Sequence, residues 1–281
     1  MPNKSFSIYD PKAGNATELN ESLILEVGER HIACISKNKN KLTTAFELFD
    51  YTENEAADFS GLFEIIAADS TVINQSYKTA EVFINNELSV LTPILNFNPE
   101  IAADYLTVMF GEDAGSKIQF EQLPAEPGII NIFRIKQHVS NVLQNYFANV
   151  TYRHTWSNIV KTVISDISAY PSECMYIQFY NTFIIAVVLT NRQVQIIQSF
   201  IKESPEDVLY ILLNITENFA LDKDNMVLQI SGMIDLHFTL YRHLITYFRH
   251  VKVQNIDTSE LPPQIKEYPL HYFTPFFNLA L

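Results

Sequence analysis

Basic residues are few in this chain of 281 residues: 19 Lys and Arg stand against 32 Asp and Glu, a formal charge of -13. Binding to a nucleic-acid backbone or an anionic lipid surface depends on many Lys and Arg, and no local cluster offsets the deficit, so neither partner is expected. Cysteine is scarcer still. Cys34 and Cys174 each sit within or beside an apolar run, with no metal-ligand spacing and no disulfide framework, and read as reduced core thiols. Long apolar runs are missing: Phe183 to Leu189 spans seven residues, against the ~20 needed to cross a bilayer. The N-terminal stretch carries Asp10, Glu18 and Glu21 in place of an apolar leader core, so no membrane insertion is expected and a cytoplasmic location is the simplest reading. Glycine numbers only seven, which leaves few positions where backbone could closely line a bound phosphate.

What is present is a repeated order of elements. LILEVGERHIACIS from Leu23 and KLTTAFELFDY from Lys41 are rich in β-forming residues, and a fold-back at Gly28 to Arg30 divides them into three antiparallel strands. Thr52 with Glu55 forms a capping box, followed by a helical apolar face of Phe59, Leu62, Phe63 and Ile66. TVINQ from Thr71 reads as the next strand. The second half runs MYIQFYNTFIIAVVLT, RQVQIIQSF, and a helix opened by Ser204 as N-cap with Pro205 as its first residue. An offset of 152 takes Ile32 to Ile184, Leu42 to Val194 and Thr52 to Ser204. VINQS at 72–76 aligns with VLQIS at 227–231 at an offset of 155, and YFANVTY at 146–152 with YFRHVKV at 247–253 at 101. The difference predicts an insertion of about 54 residues in the first copy, over roughly 77–133. It would contain a hairpin turning at Asn85-Asn86, a helix from Pro99 to Phe110, and a strand pair around the PAEPG loop.

The expected fold class is therefore α/β, with two duplicated βββαβαβ lobes and a small α+β insertion in the first. The lobes are expected over 1–170 and 171–267, with 268–281 as a C-terminal segment packing between or across them. This order resembles that of the actin-like ATPase superfamily, with its ribonuclease-H-like lobes. Within it, the resemblance is to the actin homologues of type IV pilus assembly and cell division, and to a family of uncharacterised actin-like proteins from Bacteroidetes bacteria.

The resemblance implies a nucleotide cleft in which the turn between the first two strands of each lobe cradles phosphate, using an acid, a glycine and hydroxyl residues. In the first turn, Glu26 and Gly28 occupy the places of the acid and the glycine, but Glu29 brings a negative charge. The second turn, Tyr180, Asn181 and Thr182, offers no acid and no glycine, and a tyrosine bulky enough to block phosphate. The adenine-side glycine pair is matched only by Ser231-Gly232. Glu26, Gly28, Tyr180, Asn181, Thr182, Ser231 and Gly232 are the candidate cofactor site, with no metal site, no catalytic residue and no cofactor expected. ATP-Mg is the alternative ligand.

His237, His243 and His250 lack the spacing of a zinc site. Tyr268, Tyr272, Phe273, Phe276 and Phe277 are read first as core packing and second as a partner anchor. The reading that follows is a non-catalytic actin-like scaffold that binds a protein partner. The alternatives are a divergent nucleotide-dependent phosphotransferase or ATPase using Glu26, Gly28 and Ser231-Gly232, and a cleft for a small molecule or glycan.

Overall fold

The computed structural model describes residues 1–11, 20–125, 128–165 and 172–280. They form two compact α/β units: the first takes residues 1–158, 257–267 and 280, and the second takes 159–256 and 268–279.

The first unit is built on a six-stranded sheet. Its strands are β1 (Asn3–Tyr9), β2 (Asn20–Gly28), β3 (His31–Asn38), β4 (Thr43–Asp50), β5 (Thr79–Asn85) and, after the insertion, β9 (Val150–His154), in the order β1-β4-β3-β2-β5-β9. Helices α1 (Glu53–Ala56) and α2 (Phe59–Asp69) follow β4. The insertion holds β6 (Ser89–Pro93), α3 (Ala102–Phe110), β7 (Ser116–Leu123) and β8 (Ile129–Lys136), and α4 (Gln137–Tyr146) leads from it to β9. The core gathers Leu23, Leu25, Val27 and Ile32 from the strands with Leu62, Phe63, Ile66 and Leu143 from the helices. The inserted strands make a separate antiparallel sheet, β6-β8-β7, with Leu106 of α3 packed on Ile130 and Ile132.

Helix α5 (Thr155–Ser165) precedes the second sheet. That sheet contains β10 (Glu173–Phe179), β11 (Phe183–Thr190), β12 (Gln193–Ile201), β13 (Val227–Gly232) and β14 (Val251–Val253), in the order β12-β11-β10-β13-β14. The order mirrors β4-β3-β2-β5-β9 strand for strand. Helices α6 (Pro205–Asn218) and α7 (Thr239–Tyr247) supply Val208, Leu212, Ile215 and Leu244 to its core.

The repeat extends to fine geometry. Val27 pairs with Ile32 and Phe179 with Ile184, 152 residues on. The β3–β4 ladder shifts register between Ser36 and Lys37, and the β11–β12 ladder between Val188 and Leu189, again 152 residues on. A bulge is a local chain choice, so its recurrence at matched rungs is a detailed signature of the same unit. The Thr52 side chain accepts the Glu55 amide, and the Ser204 side chain accepts the Asp207 amide, at the same offset.

Two expectations fail. TVINQ is a turn, because the Ser70 hydroxyl accepts the amides of Val72 and Ile73 and the Asn74 side chain donates to the Ala67 and Ser70 carbonyls. Such side-chain bonds close off a helix and compete with strand formation. The strand comes later, at 79–85, parallel to β2 with Leu25 opposite Val82, as Ile177 is opposite Ile230. The offset from Val82 to Ile230 is 148. Set against the 101 that relates Val150 to Val251, it makes the insertion about 47 residues, lying between Asn85 and Gln137.

The hairpin at Asn85-Asn86 also fails, since β5 and β6 belong to different sheets. The asparagines serve the chain's path instead, with the Asn86 side chain accepting the Leu88 amide and donating to the Arg134 carbonyl. The expected strand pair around the PAEPG loop is present as β7–β8, and the 99–110 segment is a short 3-10 turn running into α3. Strand β1, which has no counterpart in the expected repeat, adds an outer edge antiparallel to β4.

Candidate functional site

The first unit places Glu26 near the end of β2, where only 1% of its surface is exposed. Its carboxylate accepts the Asn85 side-chain amide at 2.9 Å and the Thr155 hydroxyl at 2.8 Å, and lies 3.1 Å from the His31 ring nitrogen Nε2. A buried carboxylate is tolerated where such partners replace water. Parallel pairing places Asn85 on the rung next to Gly28, and the β9–α5 junction brings in Thr155 from 129 residues away.

Gly28 leaves space for what stands above it. A Cβ there would lie 2.3 Å from Cε1 of His31. The Tyr51 hydroxyl holds the turn from the other side, donating to the carbonyls of Gly28 at 2.7 Å and His31 at 3.1 Å. The glycine therefore makes room for the protein's own imidazole.

Beside this turn opens a cavity of about 390 Å³ in the first unit. Val27, Tyr51, Phe59 and Ile84 line it with apolar surface, and Glu29, Glu53 and Lys136 also border it. Partial withdrawal from water, and then the charge of Glu87, hold the Glu29 carboxyl above the usual carboxylate range.

In the second unit, Tyr180 occupies the β10–β11 turn and is 2% exposed. Its ring stacks on Phe183 at 4.5 Å with planes 7° apart, and meets Phe276 edge-on at 5.7 Å. Its amide donates to the Phe183 carbonyl at 2.9 Å, and its carbonyl accepts Lys202 Nζ at 2.9 Å. Burial lowers the Lys202 pKa from the ordinary lysine value. The Lys202 amide donates to the Thr182 carbonyl, while Asn181 stands exposed at the tip.

Ser231 and Gly232 end β13 on the rungs beside Gln178 and Phe179. Ser231 is fully buried, with its hydroxyl 3.4 Å from that of Tyr176. Gly232 has φ +89°, and a Cβ would fall 2.1 Å from the Phe179 carbonyl oxygen, so only glycine fits. The structure thus brings Tyr180, Asn181, Thr182, Ser231 and Gly232 together at one end of the second sheet, and Glu26 with Gly28 at the matching end of the first.

The sequence reading missed His31, Asn85 and Thr155 as partners of Glu26. Only the β2–β5 pairing, misassigned to 71–76, could have pointed to Asn85. Of the C-terminal aromatics read as core packing, Phe273, Phe276 and Phe277 are buried, Tyr272 is half-buried and Tyr268 is exposed by 37%, and Thr274 donates to the Gln254 carbonyl within the second unit. Both cysteines are free and buried, which raises both thiol pKa values, that of Cys174 to about 12. Among the described residues no three His, Cys, Asp or Glu side chains converge as a metal site, and no helix is long and apolar enough to cross a membrane.

Residues 10–251 match the family of proteins of unknown function DUF3822. The chain belongs to that family. In structure, this DUF3822 protein is similar to a Bacteroides thetaiotaomicron protein with an actin-like ATPase fold and unknown function. The TM-score is 0.72 at 14% identity, over 86% of this chain and 93% of that one. It is also similar to a chain of the PilM-PilN type IV pilus biogenesis complex, with a TM-score of 0.58 at 11% identity, over 92% and 96% of the two chains. No curated protein matches it in sequence. The DUF3822 chain has the actin-like ATPase fold, as the order of its elements led one to expect.

Proposed function

We propose that this DUF3822 protein is a non-catalytic actin-like scaffold, working in the cytoplasm, that binds a protein partner and has lost nucleotide chemistry. The observation that carries the reading is the state of the second turn. A phosphate cradle needs free backbone amides and no side chain over them. Here the Tyr180 ring is packed between Phe183 and Phe276, and its amide is spent on the Phe183 carbonyl.

The first turn supports the same reading. Glu26 is engaged by Asn85, Thr155 and His31, and the space above Gly28 is filled by the His31 ring. The likeness to a chain from the PilM-PilN complex supports a protein as the partner. The cavity beside Gly28, where Val27, Tyr51, Phe59 and Ile84 face Glu29, Glu53 and Lys136, is the proposed seat for an amphipathic side chain of the partner.

Calorimetric titration of the full chain with ATP-Mg and ADP-Mg tests the proposal. No saturable heat and no shift in melting temperature are expected. Micromolar binding, or turnover, would overturn it in favour of the phosphotransferase reading.

A further inference from the structure

The small inserted sheet ends on two unlike edges. Strand β6 is short, five residues, and closes on Pro93, a residue that removes a donor and blunts an edge. Strand β7 is eight residues, SKIQFEQL, without proline or glycine, and lies at the other margin of the sheet with β8 as its one partner among the described residues. Gln119 and Phe120 on it are exposed, Phe120 by 48%, with the Phe120 ring resting on Phe97 at 4.9 Å.

The sequence of this edge is complementary to itself when read backwards. About Gln119 as centre, Lys117 falls opposite Glu121 and Ile118 opposite Phe120, twice over in a two-fold pair. Side chains directly opposite on antiparallel strands stand ~5 Å apart, close enough for an ion pair, and like charges there are destabilising. By contrast, the edge strand β12 of the second unit, QVQIIQSFI, has no charge to choose a register.

We propose that β7 pairs antiparallel with β7 of a second copy of this chain, centred on Gln119, extending the inserted sheet across a two-fold axis. Lys117 and Glu121 then set the register. Within its own chain Lys117 reaches the Ser140 hydroxyl at 3.0 Å, and Glu121 accepts the His154 amide at 3.0 Å with Arg153 at 3.7 Å. An ammonium carries three donors and a carboxylate two oxygens that can each accept more than one hydrogen bond.

Sedimentation of the full chain at concentrations up to about 100 µM tests this, with circular dichroism checking the fold of each variant. A concentration-dependent dimer is expected. Lys117→Glu and Glu121→Lys are each expected to weaken it about tenfold or more, since each puts like charges opposite. Mixing these two single variants restores complementarity at both rungs and should produce a heterodimer. Gln119→Cys, placed opposite its own copy, should cross-link under mild oxidation, with Cys34 and Cys174 buried and out of reach. A wild-type chain that stays monomeric throughout would overturn the proposal. So would charge variants that dimerise unchanged, a mixture no tighter than its components, or a Gln119→Cys chain that does not cross-link.

Discussion

Glu26 in the first unit and Gln178 in the second stand on the same rung of the same hairpin, 152 residues apart, opposite Ala33 and Ile185 respectively. One is a carboxylate with partners drawn from β3, β5 and the β9–α5 junction. The other is an amide whose nitrogen donates to the Tyr176 hydroxyl at 3.1 Å while its oxygen has no partner among the described residues. Two positions on, the contrast reverses: Gly28 holds a space for an imidazole, and Tyr180 fills the space with its own ring. The two turns share a backbone but close themselves by different means, polar in the first unit and aromatic in the second.

That difference is open to direct attack. The largest effect is expected from Tyr180→Ala, which deletes a buried, stacked ring and should cost about 4 kcal/mol in urea denaturation. The matched Gly28→Ala, where the His31 ring must give way, should cost about 2 kcal/mol. Equal losses would mean the turns are not closed differently. Glu26→Leu strands the Asn85 and Thr155 donors and should cost about 3 kcal/mol. Gln178→Leu, relieving an unpaired buried oxygen, should be neutral or stabilising by up to about 1 kcal/mol. Loss of stability in Gln178→Leu comparable to that in Glu26→Leu would sink the contrast.

A further effect is one of pH. His154 is fully buried on β9, and burial depresses its pKa to about 3. Its counterpart at the offset of 101 is Asn255, which does not titrate. Because the unfolded imidazole gains a proton below pH 6.5 and the folded one does not, the stability it contributes is complete above 6.5. It falls with pH towards 3, by up to about 1.4 kcal/mol per unit. Hydrogen exchange at pH 4.5 against pH 7 should therefore show the first unit loosening before the second, and His154→Gln should flatten the difference. Simultaneous loosening of both units would count against His154 as the cause.

Much of this architecture was legible in residues alone, for a local reason. Caps such as Thr52 with Glu55 and Ser204 with Pro205 act within one turn of chain, and alternation over 23–36 and 175–190 needs only neighbours to be read. The misreadings lie where distant partners decide. Val72 and Ile73 look like strand, but Ser70 and Asn74 fold them into a turn, and the strand forms at 79–85, where β2 can pair with it in parallel. Asn85-Asn86 looks like a hairpin because the sequence does not show that Glu26 will claim one asparagine and the Arg134 carbonyl the other.

For the candidate site, the sequence by itself determined that the second turn has no glycine and no acid, that the first has Glu26 and Gly28, and the register relating the two. Tertiary structure alone decided what those residues do. Whether a buried carboxylate faces a ligand or its own chain depends on which side chains parallel pairing and a junction 129 residues away deliver to it. Here they deliver Asn85, Thr155 and His31, and desolvation leaves Glu26 no stable alternative to holding them.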